Sequence, residues 1–125
     1  MFEKVETGIF ASKAPLSGTV KAGRIVRSAH IAKNPETGEL VTGDIETQAR
    51  QVFANLRQAL AAAGGTLADV VQIQAYLIDK ADAPGMNRVY RTFFSAPYPV
   101  RATVVTDLLS AGIRLEIMAT AVVET

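Results

Sequence analysis

The chain has no cysteine and only one histidine, His30, among 125 residues. Without thiols there are no disulfides, thiolate nucleophiles or thiolate metal sites. A zinc site built on one imidazole would need carboxylates or a neighbouring subunit to complete it. Charge of one sign is missing too: 13 Lys and Arg stand against 12 Asp and Glu, interleaved, for a net charge of +1. That balance gives no electrostatic footprint for DNA or RNA. No apolar run nears the roughly 18 residues that span a bilayer, and the opening Met-Phe-Glu-Lys-Val-Glu-Thr lacks the apolar core of a secretory signal. Repeats, linkers and low-complexity segments are absent as well. The expectation is one cytoplasmic domain, residues 1–125, without nucleic-acid or membrane partners and large enough to bury about two thirds of its unfolded surface.

What is present reads as alternating strands and helices. Thr19 to Ser28 suggests two short strands around Ala22-Gly23, and Asn34-Pro35-Glu36-Thr37-Gly38-Glu39 an exposed loop. Ile45, Ala49, Val52, Leu56, Leu60 and Ala63 recur at spacings of three and four, predicting a helix capped by Asp44 and ended by Gly64-Gly65. Asp69 to Ile78 alternates, with Val71, Ile73, Ala75 and Leu77 facing one way. A second helix starts at a cap on Asp82, buries Met86, Val89, Tyr90, Phe93 and Phe94, and ends before Pro97 and Pro99. Strands near Arg101–Thr106 and Ile113–Val123 follow. The order implies an α+β fold, with two helices on one face of a mixed sheet. Gln72, Gln74, Tyr76, Glu116, Met118, Thr120 and Val122 would share the other face, a mixture that suits burial in a closed oligomer.

Two charges stand out in the last quarter of the chain. Arg101 follows Pro99-Val100 on one expected strand, and Glu116 sits between Leu115 and Ile117 on what reads as the adjoining one. A guanidinium offers a planar fork of donors that matches a carboxylate and stays charged in a poorly hydrated pocket. A carboxyl with a raised pKa could shuttle protons to and from water. Together they suggest hydrolysis of a small carboxylate-bearing molecule. Alternatively, Arg114 and Glu116, two residues apart on one strand face, pair as a structural salt bridge.

Ordered segments along nearly the whole chain resemble the RidA/YjgF family. They are Asn34-Pro35-Glu36-Thr37-Gly38-Glu39, Gln48-Ala49-Arg50-Gln51-Val52 with Asn55-Leu56, Ala62-Ala63-Gly64 and Leu67-Ala68-Asp69-Val70-Val71. Asn87-Arg88-Val89-Tyr90, Phe93-Phe94, Pro99-Val100-Arg101-Ala102 and Leu115-Glu116-Ile117 complete the series. The resemblance implies a chorismate-mutase-like fold and a homotrimer with clefts between subunits, packed around the helix-free sheet face. It implies deamination of 2-imino acids or their enamines to 2-keto acids and ammonia, with no metal or organic cofactor. By position, Arg101 would bind the substrate carboxylate and Glu116 would position or activate water. Asn87 and Ser28 would line the pocket, with Ala29 beside the ligand, and backbone near Ser28 and at Thr103 would contact substrate. The chain departs from the pattern at four places. Pro15 stands where the family has a pocket tyrosine, Ala29 in place of glycine, Thr103 in place of cysteine, and Met118 in place of a second glutamate. The alternative function is a non-catalytic, regulatory trimer that recognises small carboxylates. Ribonuclease activity, ascribed to some relatives, is disfavoured by the near-neutral charge. His30 reads as structural, or else as a donor at the cleft.

Overall fold

The computed structural model describes residues 1–124. Eight elements follow one another: β1 (Glu3–Lys4), β2 (Thr19–Ala22), β3 (Ile25–Ile31), α1 (Ile45–Ala62), β4 (Val70–Leu77), α2 (Ala83–Phe93), β5 (Val100–Val105) and β6 (Leu115–Val122). They form one six-stranded sheet in the order β1-β2-β3-β6-β4-β5, antiparallel except for the β4–β5 pair. Both helices cover the same face. The α+β layering expected from the residue pattern is thus the observed one.

Local chemistry accounts for most of the elements. Gly23 takes a φ of 61° at the turn of the β2–β3 hairpin, a conformation open to glycine at little cost. Asp44 caps α1 by accepting from the Thr47 backbone N–H at 2.8 Å. Gly64 (φ 88°) follows the helix, whereas Gly65 is needed for space. A Cβ on Gly65 would come within 2.5 Å of the Val123 side chain.

Four details depart from the sequence reading. A bulge between Val70 and Gln72 resets the alternation of β4, so Val70 is buried and Val71 is 48% exposed. Asp82 occupies the cap position of α2 but makes no capping bond. Its carboxylate instead accepts two hydrogen bonds from Arg114, each 2.9 Å long. Arg114 therefore pairs with Asp82 and not with Glu116, and this bond is the main cause of its raised pKa. Finally, β5 and β6 are not neighbours, because β4 lies between them.

The core lies between the sheet and the helices. Leu115, Ile117, Ala119 and Ala121 of β6 meet Ile73, Ala75 and Leu77 of β4 and the buried stripe of α1. Phe53 makes T-shaped contacts with Tyr90 and Phe94, with centroids 5.6 and 5.7 Å away. Buried polar side chains in this layer join elements distant in sequence. Gln48 donates to the Gly112 carbonyl (2.6 Å) and accepts from the Arg114 N–H (2.8 Å), which fixes the entry to β6. Asn55 donates to the Lys33 carbonyl at 2.9 Å, which holds the end of β3 against α1. Thr19, Ser28 and His30 form a chain, with Thr19 Oγ1 2.7 Å from Ser28 Oγ and Ser28 Oγ 2.6 Å from His30 Nε2. Burial first, and the nearby Lys33 charge second, lower the His30 pKa from 6.5 to about 4. The buried imidazole is therefore neutral at pH 7, and His30 also borders a cavity on the sheet.

Two stability measurements test these assignments. Gln48→Leu strands a carbonyl and an N–H and should cost about 2–4 kcal/mol in denaturant unfolding. For His30, the unfolded chain takes up a proton below pH 6.5 while the native state does so only near pH 4. Its contribution is thus complete above pH 6.5 and is lost as the pH falls towards 4, by about 3 kcal/mol. At fixed protein concentration, His30→Gln should flatten the wild-type stability slope between pH 7 and pH 4.

Candidate functional site

Arg101 lies near the start of the edge strand β5. The parallel register sets it beside the buried Ile73, so its side chain leaves the sheet on the helix-covered side. There Arg101 Nη2 donates to Asn87 Oδ1 at 2.7 Å, and the guanidinium carbon lies 4.6 Å from the centroid of the Tyr90 ring. Both partners are on α2, one helical turn apart. A face contact and one hydrogen bond fix the plane of the fork and leave its other donors unused. The fork opens into a depression of about 360 Å³ lined by Asn87, Tyr90, Arg91, Tyr98, Pro99 and Arg101. The Tyr90 hydroxyl is buried with no hydrogen-bond partner among the described residues, and burial is the main cause of its raised pKa.

Glu116 lies on the other face of the sheet. In β6 it sits in register with Ile31 of β3 and Tyr76 of β4. It borders a second cavity, of about 260 Å³, between the far end of β3 and the segment before β2. Ala29, Ile31, Lys33 and Gly18 also border it. Glu116 is half-buried, and burial raises its carboxyl pKa above the ordinary 4.5. Among the described residues it has no ion-pair or hydrogen-bond partner. The outer wall is held by several contacts. Phe10 N–H donates to the Pro35 carbonyl (2.7 Å), and Gln58 donates to the Thr7 carbonyl (3.0 Å). The Phe10 ring lies over Gly38, whose φ of 79° and lack of Cβ let it approach.

Some of the expected site residues come together and others do not. Asn87 meets Arg101 directly. Ala29 borders the Glu116 cavity, but the Ser28 hydroxyl binds within the buried Thr19–His30 chain and Ser28 does not line the cavity. Thr103 is exposed on β5 and lines neither depression. Pro15 also lines neither, although the next residue, Leu16, borders the Glu116 cavity. Most importantly, Arg101 and Glu116 lie on opposite faces with β4 between their strands, so one chain does not bring them together. Sequence reasoning treated Tyr90 only as core and did not single out Lys33. The signal for Tyr90 was its place three residues after Asn87 on one helix face.

Comparison with known proteins places this geometry. A family model described as Endoribonuclease L-PSP matches residues 8–123. The chain is 41% identical over 108 residues to a RutC family protein of Pyrococcus horikoshii, covering 86% of each. It is 36% identical over 111 residues to a 2-iminobutanoate/2-iminopropanoate deaminase of Dermatophagoides farinae, covering 88% of this chain and 87% of that one. The crystal structure of RidA from an Antarctic Psychrobacter species superposes with a TM-score of 0.90 at 35% identity, over 97% of this chain and 99% of that one. With the fold shared and almost every residue matched, the chain belongs to the RidA/YjgF family.

Proposed function

We propose that the protein hydrolyses small 2-imino acids, or their enamine tautomers, to 2-keto acids and ammonia. The observation that carries this reading is the fixed, forked cation of Arg101, braced by Asn87 and Tyr90 with donors to spare. Such a fork binds a carboxylate through two parallel hydrogen bonds. Relatives named 2-iminobutanoate/2-iminopropanoate deaminase in mite, mouse and human support the reaction class.

In this reading the site is completed by a second copy of the chain, within a homotrimer. Arg101 of one copy faces Glu116 of the next. The helix-free face, with Met118 and Val122 exposed between Gln72, Gln74 and Thr120, is the surface that packs in the assembly. Arg101 holds the substrate carboxylate and so places the C=N carbon. Glu116 takes one proton from water as its oxygen bonds to that carbon, and passes it to nitrogen as the C=N π bond opens to a carbinolamine. It then takes the hydroxyl proton and delivers it to nitrogen as the C=O bond forms and the C–N bond breaks. One water is consumed and one ammonia leaves. The raised pKa of Glu116 suits this two-way transfer better than that of an ordinary solvated carboxylate. Nothing in the balanced surface charge favours binding of an RNA backbone.

The reaction is followed by loss of imine trapped with semicarbazide, the imines being made in situ by an amino-acid oxidase. Arg101→Ala and Arg101→Lys should both lose nearly all turnover, the lysine because a point charge cannot replace the fork. Glu116→Gln should also be inactive. Co-assembled Arg101→Ala and Glu116→Gln chains should recover activity, since some interfaces then pair an intact Arg101 with an intact Glu116. No recovery in mixed trimers would exclude a site shared between copies. The acidic limb of kcat/KM should fall above pH 4.5, because the free enzyme's Glu116 titrates above that value. A regulatory protein without turnover would instead bind 2-keto acids and leave imine loss at the uncatalysed rate.

A further inference from the structure

Lys4, Glu6 and His30 line the Glu116 cavity without a part in this mechanism, and so does Lys33. It follows the last residues of β3 and is half-buried. Its ammonium donates one hydrogen bond, to the Phe10 carbonyl at 2.7 Å. No carboxylate lies within 4 Å of it among the described residues. The other basic residue lining the cavity, Lys4, has a partner 3.8 Å away in Glu6. Much of the remaining lining is apolar: Val5, Ile9, Phe10, Leu16 and Ile31.

The Lys33 ammonium keeps contact with solvent, but part of its hydration shell is replaced by apolar wall and a single carbonyl. Burial accordingly lowers the Lys33 pKa below 10.5. Nor is the ammonium needed to hold the wall. The segment around Phe10 is already fixed by the Phe10 and Gln58 hydrogen bonds and by packing on Gly38. The Lys33 backbone is held independently of its side chain, its N–H on the Ile31 carbonyl and its carbonyl on Asn55. The ammonium therefore has two donors free, inside the cavity that also presents Glu116.

We propose that Lys33 forms a second anion subsite in this cavity and that the preferred substrate is a 2-imino acid with an acidic side chain. This rests on the deaminase reading, in which Arg101 of another copy holds the first carboxylate. The second carboxylate would lie along the apolar wall with its oxygens on Lys33. An alkyl side chain in the same place would leave the ammonium uncompensated. Hydrolysis itself is unchanged: water adds, ammonia leaves, and the side-chain carboxylate takes no part in bond making.

The experiment compares imines of aspartate and glutamate with those of 2-aminobutyrate and leucine by kcat/KM, on wild type, Lys33→Met and Lys33→Arg. In parallel, calorimetry compares binding of 2-oxoglutarate with 2-oxobutanoate. Wild type should favour the acidic member of each pair by about tenfold or more, the size of one charge-assisted hydrogen bond. Lys33→Met should bring both ratios close to one, while Lys33→Arg should keep most of the preference. Equal handling of acidic and alkyl imines by wild type, or a preference that survives in Lys33→Met, overturns the subsite and leaves the deaminase reading intact. Lys33-dependent binding of 2-oxoglutarate without hydrolysis of any imine supports the subsite and overturns the deaminase reading. If neither keto acid binds and no imine is consumed, both fall.

Discussion

The insertion of β6 between β3 and β4 is the constraint on which the rest of the structure depends. This last strand pairs antiparallel with both neighbours over almost its whole length. Leu115, Ile117, Ala119 and Ala121 thereby become the floor of the core beneath both helices. The intervening residues are turned to the opposite face, where Glu116 meets the ends of β3 and β4. A one-residue slip of β6 would exchange the two sets, burying the carboxylate and exposing the leucine and isoleucine. The Gln48 bonds at the entry to β6 and the Asp82–Arg114 pair just before it pin the strand at its start, where such a slip would have to begin.

The same insertion separates the two charges that suggest chemistry. With β4 between β5 and β6, Arg101 is directed to the helix layer and Glu116 away from it. Each then acquires an environment that suits the role proposed for it. Arg101 gains a rigid brace from Asn87 and Tyr90, so little side-chain entropy remains to be lost when an anion binds. Glu116 gains partial burial without a cation beside it, which raises its pKa. A salt bridge within one chain would have cancelled both properties. In the proposed deaminase, keeping the pair apart until two copies meet would leave the arginine fork free for substrate and the carboxyl free for protons.

The polar groups inside the core follow a second rule, that a group buried for structural reasons is satisfied locally. His30, Ser28 and Thr19 bind one another, and Asn55 and Gln48 bind backbone. Lys33 and the Tyr90 hydroxyl are different. The Tyr90 hydroxyl is buried without a partner among the described residues, and the half-buried Lys33 ammonium makes one hydrogen bond, each at the edge of a depression. Groups of that kind mark where a ligand or another chain would complete the structure.

The sequence by itself determined both helices, every strand except the short β1 at Glu3–Lys4, and the identity of the two charged residues. Those features rest on interactions within a few residues. The spacing of Ile45, Ala49, Val52 and Leu56 needs only the helical period, and the alternation from Ile113 to Val123 needs only the pleat. The ordered motifs around Arg101 and Glu116 carried the family resemblance for the same reason. Only the tertiary structure decided that β6 lies between β3 and β4, because the choice of strand neighbour is made by long-range packing. From that followed the opposite faces of Arg101 and Glu116, the pairing of Arg114 with Asp82, and the inward turn of the Ser28 hydroxyl. The bulge that exposes Val71 and the half-buried position of Lys33, with its one hydrogen bond to the Phe10 carbonyl, were settled there too. A one-residue shift in register, or the hydration of one ammonium, depends on atoms that the linear pattern does not bring together.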